Sequence, residues 1–236
     1  MPIIARYSII NENGLLRGVN YKIRHAALFT SISASNKKLG NYLHSTTQKA
    51  HYSLGWLDSS VIINILKEEQ WIIPAIQDID NIICYLSNDS YQLQLDEIKN
   101  ISYLDLFNNA SPKRLINMEF VTPTSFRQKG RQIILPDPRL IFLSLMSRWN
   151  TFSPINFSFP NEFYRDILWD RFAFKTEILH MSQYKIKGFV GSGTLRLWKN
   201  IPREYRRMLV CLARYAEISG VGYKTTMGFG VVRGNK

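Results

Sequence analysis

Residues 220–230 read Gly-Val-Gly-Tyr-Lys-Thr-Thr-Met-Gly-Phe-Gly, two Gly-apolar-Gly units separated by five residues. A glycine inside a helix costs roughly 0.5–1 kcal/mol relative to alanine, so four at these places make a loop. The loop constrains both neighbours. Before it, residues 202–218 carry the clearest helical pattern of the chain, with Pro202 near the start, Leu209, Leu212, Ala213, Tyr215, Ala216 and Ile218 at helical spacing, and Gly220 just past the end. After it, Val231 and Val232 read as strand. Glycine permits positive φ, and successive exposed N–H groups in such turns form concavities for anions, which makes phosphate the candidate ligand; the alternative is a glycine-rich turn that binds nothing. Neither familiar nucleotide loop fits. The dinucleotide fingerprint needs glycine where Thr225 stands, and the P-loop needs lysine where Phe229 follows Gly228.

Charge separates the chain into unequal halves. Residues 1–115 hold 11 Lys and Arg against 10 Asp and Glu, whereas residues 116–236 hold 19 against 8. A positive field concentrated in one half suits a polyanion, because phosphate neutralisation releases counterions and dominates nucleic-acid affinity. The two cysteines, Cys84 and Cys211, lie in apolar surroundings without metal-type spacing, and the N-terminus lacks a signal pattern. No uncharged apolar stretch reaches bilayer length. These features lead us to expect a cytosolic protein with buried, reduced thiols.

In chain order, Ile3–Ile10 reads as a strand, Tyr21–Ser33 as a helix entered through Gly18-Val19-Asn20, and Leu39–His44 as a short helical turn before the hydroxyl-rich loop Ser45–Lys49. Strands are expected at His51–Leu57, Val61–Leu66 and Trp71–Ala75, a helix at Ile76–Leu86, and an alternating strand at Tyr91–Leu95. That order is the ferredoxin-like β-α-β-β-α-β motif. The cluster Asn108–Pro112 reads as a linker. Beyond it come a strand at Leu115–Val121, a basic turn at Gln128–Arg131, a helix entered through Pro136-Asp137-Pro138 and running to Trp149, and strands at Phe172–Met181 and Lys185–Val190. Gly188, Gly191 and Gly193 then mark a turn before Thr194–Leu197. The expectation is an α+β protein of two tandem ferredoxin-like domains, residues 1–112 and 113–236.

With these elements placed, the chain resembles the CRISPR-associated endoribonucleases that process the precursor transcript, within the superfamily of repeat-associated RNA-binding proteins. The glycine stretch matches that family's signature along its whole length. Phe120-Val121-Thr122-Pro123-Thr124-Ser125-Phe126-Arg127 agrees too, as do Leu135-Pro136-Asp137-Pro138 with Trp149, and Lys187-Gly188-Phe189-Val190-Gly191; Leu39-Gly40-Asn41-Tyr42-Leu43-His44 looks like the segment that carries the catalytic histidine. The resemblance implies binding and cleavage of CRISPR repeat RNA in the precursor transcript without metal or other cofactor. A ribose 2′-OH attacks the adjacent phosphorus, leaving a 2′,3′-cyclic phosphate and a 5′-OH. That chemistry needs a base, an acid and a positive charge on the phosphorane, and histidine can serve as either proton carrier.

His44 is the implied catalytic group and Lys49 the implied charge. A tyrosine that often joins the site falls at Phe29, which has no hydroxyl, and the family lysine aligns at Ala50, one residue beyond Lys49; Tyr42, Ser45 and His51 are the substitutes at hand. The implied RNA contacts are the loop residues Gly220, Gly222, Tyr223, Lys224, Thr225, Gly228 and Gly230, then Arg127, Lys129 and Arg131, then Arg203, Arg206 and Arg207 within about one helical turn. The implied partners are repeat RNA, effector-complex subunits and a second copy of the chain, in a prokaryotic cytoplasm, with no membrane.

Other readings compete. A histidine at a helix–loop junction is more often structural, His25 and His180 read as packing or surface residues, and the arginine cluster of residues 203–207 could be a solvated helix face. Four histidines without close His, Cys or carboxylate spacing argue against a metal site. The competing functions are a non-catalytic repeat-binding subunit and a general RNA-binding module, the latter disfavoured because the paired aromatic strand motif of common RNA readers is missing.

Overall fold

A computed structural model of the chain describes all residues except 12–13, 16–20, 45–49, 58, 87–88, 181–184 and 235–236. The chain forms two compact units, Met1–Ile101 and Ser102–Lys236. The break precedes the expected one at 112 because residues 103–108 form a helix whose Tyr103 ring packs on Trp149 and Tyr215, at 5.1 and 5.8 Å. The linker-like Asn108–Pro112 is therefore the end of an element of the second unit.

The first unit opens with β1 (Ile3–Asn11), which alternates Ile3, Ala5, Tyr7 and Ile9 into the core, and β2 (Gly14–Leu15), which pairs with its end. Then come α1 (Tyr21–Ser35) and α2 (Lys37–His44). The polar break between them is a cap: the Asn36 side-chain oxygen accepts from Leu39 N at 2.9 Å. Gly40, inside α2, lets the helices cross closely, since a Cβ there would meet Ser33. β3 (Tyr52–Leu57), β4 (Ser60–Ile65), α3 (Ile72–Gln77), β5 (Ile83–Leu86) and β6 (Asp89–Asn100) complete the unit.

Two expectations reverse here. Residues 72–77 are helix rather than strand, with Pro74 in the first turn, where its missing N–H leaves no bond unmade. Residues 83–86 are a hairpin strand rather than helix, with Cys84 inward and Ile83 and Tyr85 outward. The sheet order β3-β4-β1-β6, antiparallel throughout, is the ferredoxin-like arrangement, and β5 extends it beyond β6.

The second unit repeats the plan after α4 (Tyr103–Asn108), which Ser102 caps by accepting from Leu104 N and Asp105 N. β7 (Leu115–Thr124) leads to a hairpin of β8 (Phe126–Gln128) and β9 (Arg131–Ile133). Lys129 and Gly130 join them, both at positive φ (46° and 78°), as a two-residue turn matched to strand twist requires. α5 (Pro138–Phe152) is capped by Asp137 and carries Trp149, fully buried, stacked on Phe157 at 4.9 Å and donating to Ile155 O at 2.7 Å. β10 (Ile167–His180), β11 (Lys185–Leu197), α6 (Arg203–Ser219) and β12 (Val232–Arg233) follow, and the sheet order is β10-β11-β7-β12.

Gly188, Gly191 and Gly193 do not form the expected turn; β11 runs straight through them. Each marks a close approach instead: a Cβ would strike Thr124 at Gly188, the Ala173 carbonyl at Gly191 and the Trp169 ring at Gly193. Opposite Val190, β7 bulges outward over Val121–Pro123, a place that suits a proline without a donor. Both units are ferredoxin-like, in tandem.

Candidate functional site

α2 buries Leu39, Gly40 and Leu43, so its last residue, His44, emerges exposed. The imidazole meets the buried Phe29 ring of α1 edge-on, with centroids 5.0 Å apart. His25, one turn before Phe29 on α1, stacks on the other part of that ring at 4.4 Å. Thus His25, which the sequence reading set aside, belongs to the same aromatic group; its i, i+4 spacing to Phe29 is the signal that could have found it. Tyr42 faces elsewhere, against His51 (5.7 Å) and Trp71 (5.3 Å). Burial, aided by the Glu69 carboxylate, pushes the Tyr42 phenol up to about 12, so at neutral pH it is a proton donor and not a base. Lys49 and Ser45 lie outside the described residues, as does the expected helix cap at residues 18–20.

The glycine stretch is tethered to the β7 bulge. Tyr223 N donates to Ser125 O at 2.8 Å, Gly230 N to Pro123 O at 3.2 Å and Val231 N to Thr122 Oγ1 at 2.9 Å. α5 holds the near end: Arg148 donates to Ser219 O, and Gly222 N donates to Ser144 Oγ at 3.0 Å. Gly220, Gly222, Gly228 and Gly230 all have positive φ, and a Cβ at Gly222 or Gly230 would collide with the Ser125 or Val221 carbonyl.

Most of the loop's N–H groups are thereby engaged. Those of Gly220, Val221, Gly222, Tyr223, Met227, Gly228, Phe229 and Gly230 all donate within the protein. These bonds form a backbone circuit, because a loop pinned between a strand bulge and a helix must satisfy its own polar groups. Thr225 is 2% exposed and packs its methyl against Gly220. What this circuit presents is a pair of side chains, Tyr223 and Lys224.

Around Tyr223 the structure gathers two of the other candidate residues. Arg127 donates to Tyr223 Oη at 3.2 Å with its guanidinium 5.5 Å from the ring, and Lys224 Nζ lies 5.6 Å from the ring centroid. Lys129 and Arg131 extend the basic surface along the same exposed hairpin, which Gln132 fastens to Ser125 Oγ and Lys187 O. The arginines of α6 separate. Arg203 is exposed and Arg206 half-buried, but Arg207 is turned inward onto the carbonyls of Phe107 (3.1 Å) and Asn108 (2.9 Å) and lies over the Phe107 ring at 4.6 Å. Arg207 closes the C-terminus of α4, and Arg214, donating to Asn109 O at 2.6 Å, joins it. Among the described residues, no three His, Cys, Asp or Glu side chains gather as metal ligands, and no helix is long and apolar enough to cross a membrane.

The circuit and the bulge beneath it fall within residues 118–232, which match the family model of the CRISPR-associated endoribonuclease Cas6. Over these residues the chain is similar to the Cas6 family. A CRISPR-associated endoribonuclease Cas6 of Mycobacterium tuberculosis is 29% identical over 123 residues, 51% of this chain and 38% of that protein. The Cas6 of Streptococcus thermophilus is 26% identical over 148 residues, 60% of this chain and 59% of that protein. The chain therefore spans well under two thirds of the length of these relatives. Over its full length it is similar in fold to a Thermus thermophilus Cas6 (TM-score 0.79, 22% identity, 98% of that chain covered) and to a Cas6 product complex (TM-score 0.79, 20% identity, 100% covered). At these identities the likeness establishes the tandem ferredoxin-like fold of Cas6, and the sheet orders of both units agree with it.

Proposed function

We propose that this chain is an endoribonuclease that binds CRISPR repeat RNA and cuts it in the precursor transcript without a metal ion. The observation that carries the reading is His44: an exposed imidazole at a helix end, its ring steadied by Phe29, in a chain whose other half matches Cas6. The ribose 2′-OH loses its proton as it attacks phosphorus, and the P–O5′ bond breaks as the leaving oxygen is protonated. The products are a 2′,3′-cyclic phosphate and a 5′-OH, with no water consumed. His44 carries one of these protons, a role worth ~10²–10⁴ in rate, and Lys49 supplies charge to the phosphorane. The first unit thus holds the chemistry and the second unit the RNA, through Tyr223, Lys224, Arg127, Lys129, Arg131 and Arg203. The protein acts in the cytoplasm, handing the cut RNA to effector subunits.

A second reading is a repeat-binding subunit that does not cut. Phe29 favours it, since its ring occupies the contact with His44 where a tyrosine would bring a hydroxyl. Incubation with cognate repeat RNA in excess EDTA decides between them. The first reading predicts cleavage with a cyclic-phosphate end; tight binding of intact RNA selects the second, and cutting that requires added metal contradicts the mechanism.

A further inference from the structure

Arg203 opens α6, a helix of 17 residues that holds it about 25 Å from Gly220, where the backbone circuit begins. A phosphate at one end of α6 is out of reach of the other, so Arg203 needs neighbours of its own. Three chain segments meet beside it. Leu197 N donates to Arg114 O at 2.8 Å and Trp198 N to Asp166 O at 3.0 Å, which brings together the approach to β7, the approach to β10 and the end of β11. The turn from there into α6 is fixed: Ile201 N donates to Trp198 O at 3.2 Å, Ile201 is 2% exposed, and Asn200 donates to Asp166 Oδ2 at 2.7 Å. On this turn Trp198 stands 53% exposed, the one exposed tryptophan of five, and makes no ring contact among the described residues.

A single exposed aromatic needs no partner, but the charge around this one points to one. Lys113, Arg114, Arg165, Lys199 and Arg203 are all exposed, and none pairs with a carboxylate among the described residues. The carboxylates on the same segments are Asp166, which accepts from Asn200, and Glu162 and Glu204; Asp170 is held by Arg196 at 2.6 Å. Arg203 and Glu204 also line a cleft of about 710 Å³ with Asn108, Ser111 and Pro112, the last of these two residues before Arg114.

We infer that this corner of the second unit is a second RNA contact, which takes a single-stranded flank of the transcript whose repeat engages the backbone circuit. One unpaired base lies on the Trp198 indole, and the phosphates on either side of it meet Arg114, Arg165, Lys199 and Arg203. The strand must be unpaired, because bases in a duplex stack on each other and leave no face for an indole. This second site rests on the repeat-RNA reading and extends the substrate beyond the repeat.

Fluorescence anisotropy of the full chain tests it, with the bare repeat RNA and with the same RNA extended at its 5′ or 3′ end by unpaired uridines. Wild type binds one extended RNA more tightly than the bare repeat by ~5-fold or more, the worth of one stacked base. Trp198→Ala abolishes that gain and Trp198→Phe keeps most of it, while both bind the bare repeat as wild type does. Arg114→Gln with Lys199→Gln lowers the salt slope for the extended RNA by about 0.7 per lost phosphate contact, the value for a single strand. All three positions are exposed, so circular dichroism finds every variant folded. No gain from either extension, or a gain that Trp198→Ala leaves intact, overturns the inference, including the case in which the patch serves an acidic protein instead. A wild type that neither binds nor cuts the bare repeat fails the repeat reading itself, a result distinct from both.

Discussion

Both units wind the same six-element path and order their four central strands alike, yet they place functional groups in different connections. In the first unit the leading crossover is broken at Asn36 into two helices, and the second ends in the open at His44. In the second unit the last crossover ends in a backbone circuit, Gly220–Gly230, most of whose N–H groups donate within the protein and whose outward chemistry is Tyr223 and Lys224. The strands are interchangeable scaffolds; the loops and helix ends differentiate them.

The contrast can be broken most severely at His44. Its replacement by alanine should lower single-turnover cleavage by ~10²–10⁴ while the unfolding midpoint barely changes, since the ring is exposed. The second unit should respond the other way to Trp149→Ala: a loss of ~3–5 kcal/mol in urea unfolding, because the indole is fully buried among Phe157, Tyr103 and Tyr215. Gly230→Ala should cost ~1–3 kcal/mol and weaken RNA binding, because the left-handed backbone and the Val221 carbonyl leave no room for a Cβ.

A smaller effect distinguishes the α6 interior by pH. Burial raises the Cys211 thiol from 9.0 to about 12. A folded pKa above the unfolded one stabilises fully below pH 9.0, and that contribution disappears as pH climbs toward about 12. Cys211→Ala should therefore lose less stability than wild type over this interval in denaturant titrations.

Some of this was legible from the chain. Pro202 and Gly220 bracket α6, alternation marks β6, and the glycine spacing locates the circuit. Other parts were not, for reasons of tertiary geometry. The apolar run from Trp71 to Leu86 has no decisive period, so helix and strand exchange places there. Gly191 reads as a turn until the Ala173 carbonyl is seen against it. Arg207 reads as a phosphate ligand until its acceptor appears on α4, 100 residues earlier in the chain. The backbone circuit could not be read for the same cause: its acceptors, Pro123 and Ser125, lie far earlier in the chain.

The most direct test measures affinity and single-turnover rate together for His44→Ala and Lys224→Ala against repeat RNA. The account predicts that His44→Ala loses rate with affinity and salt slope intact. Lys224→Ala should keep its rate at saturation while affinity falls and the log–log salt slope drops by about one. If either substitution moved both quantities together, chemistry and binding would not be divided between the two units.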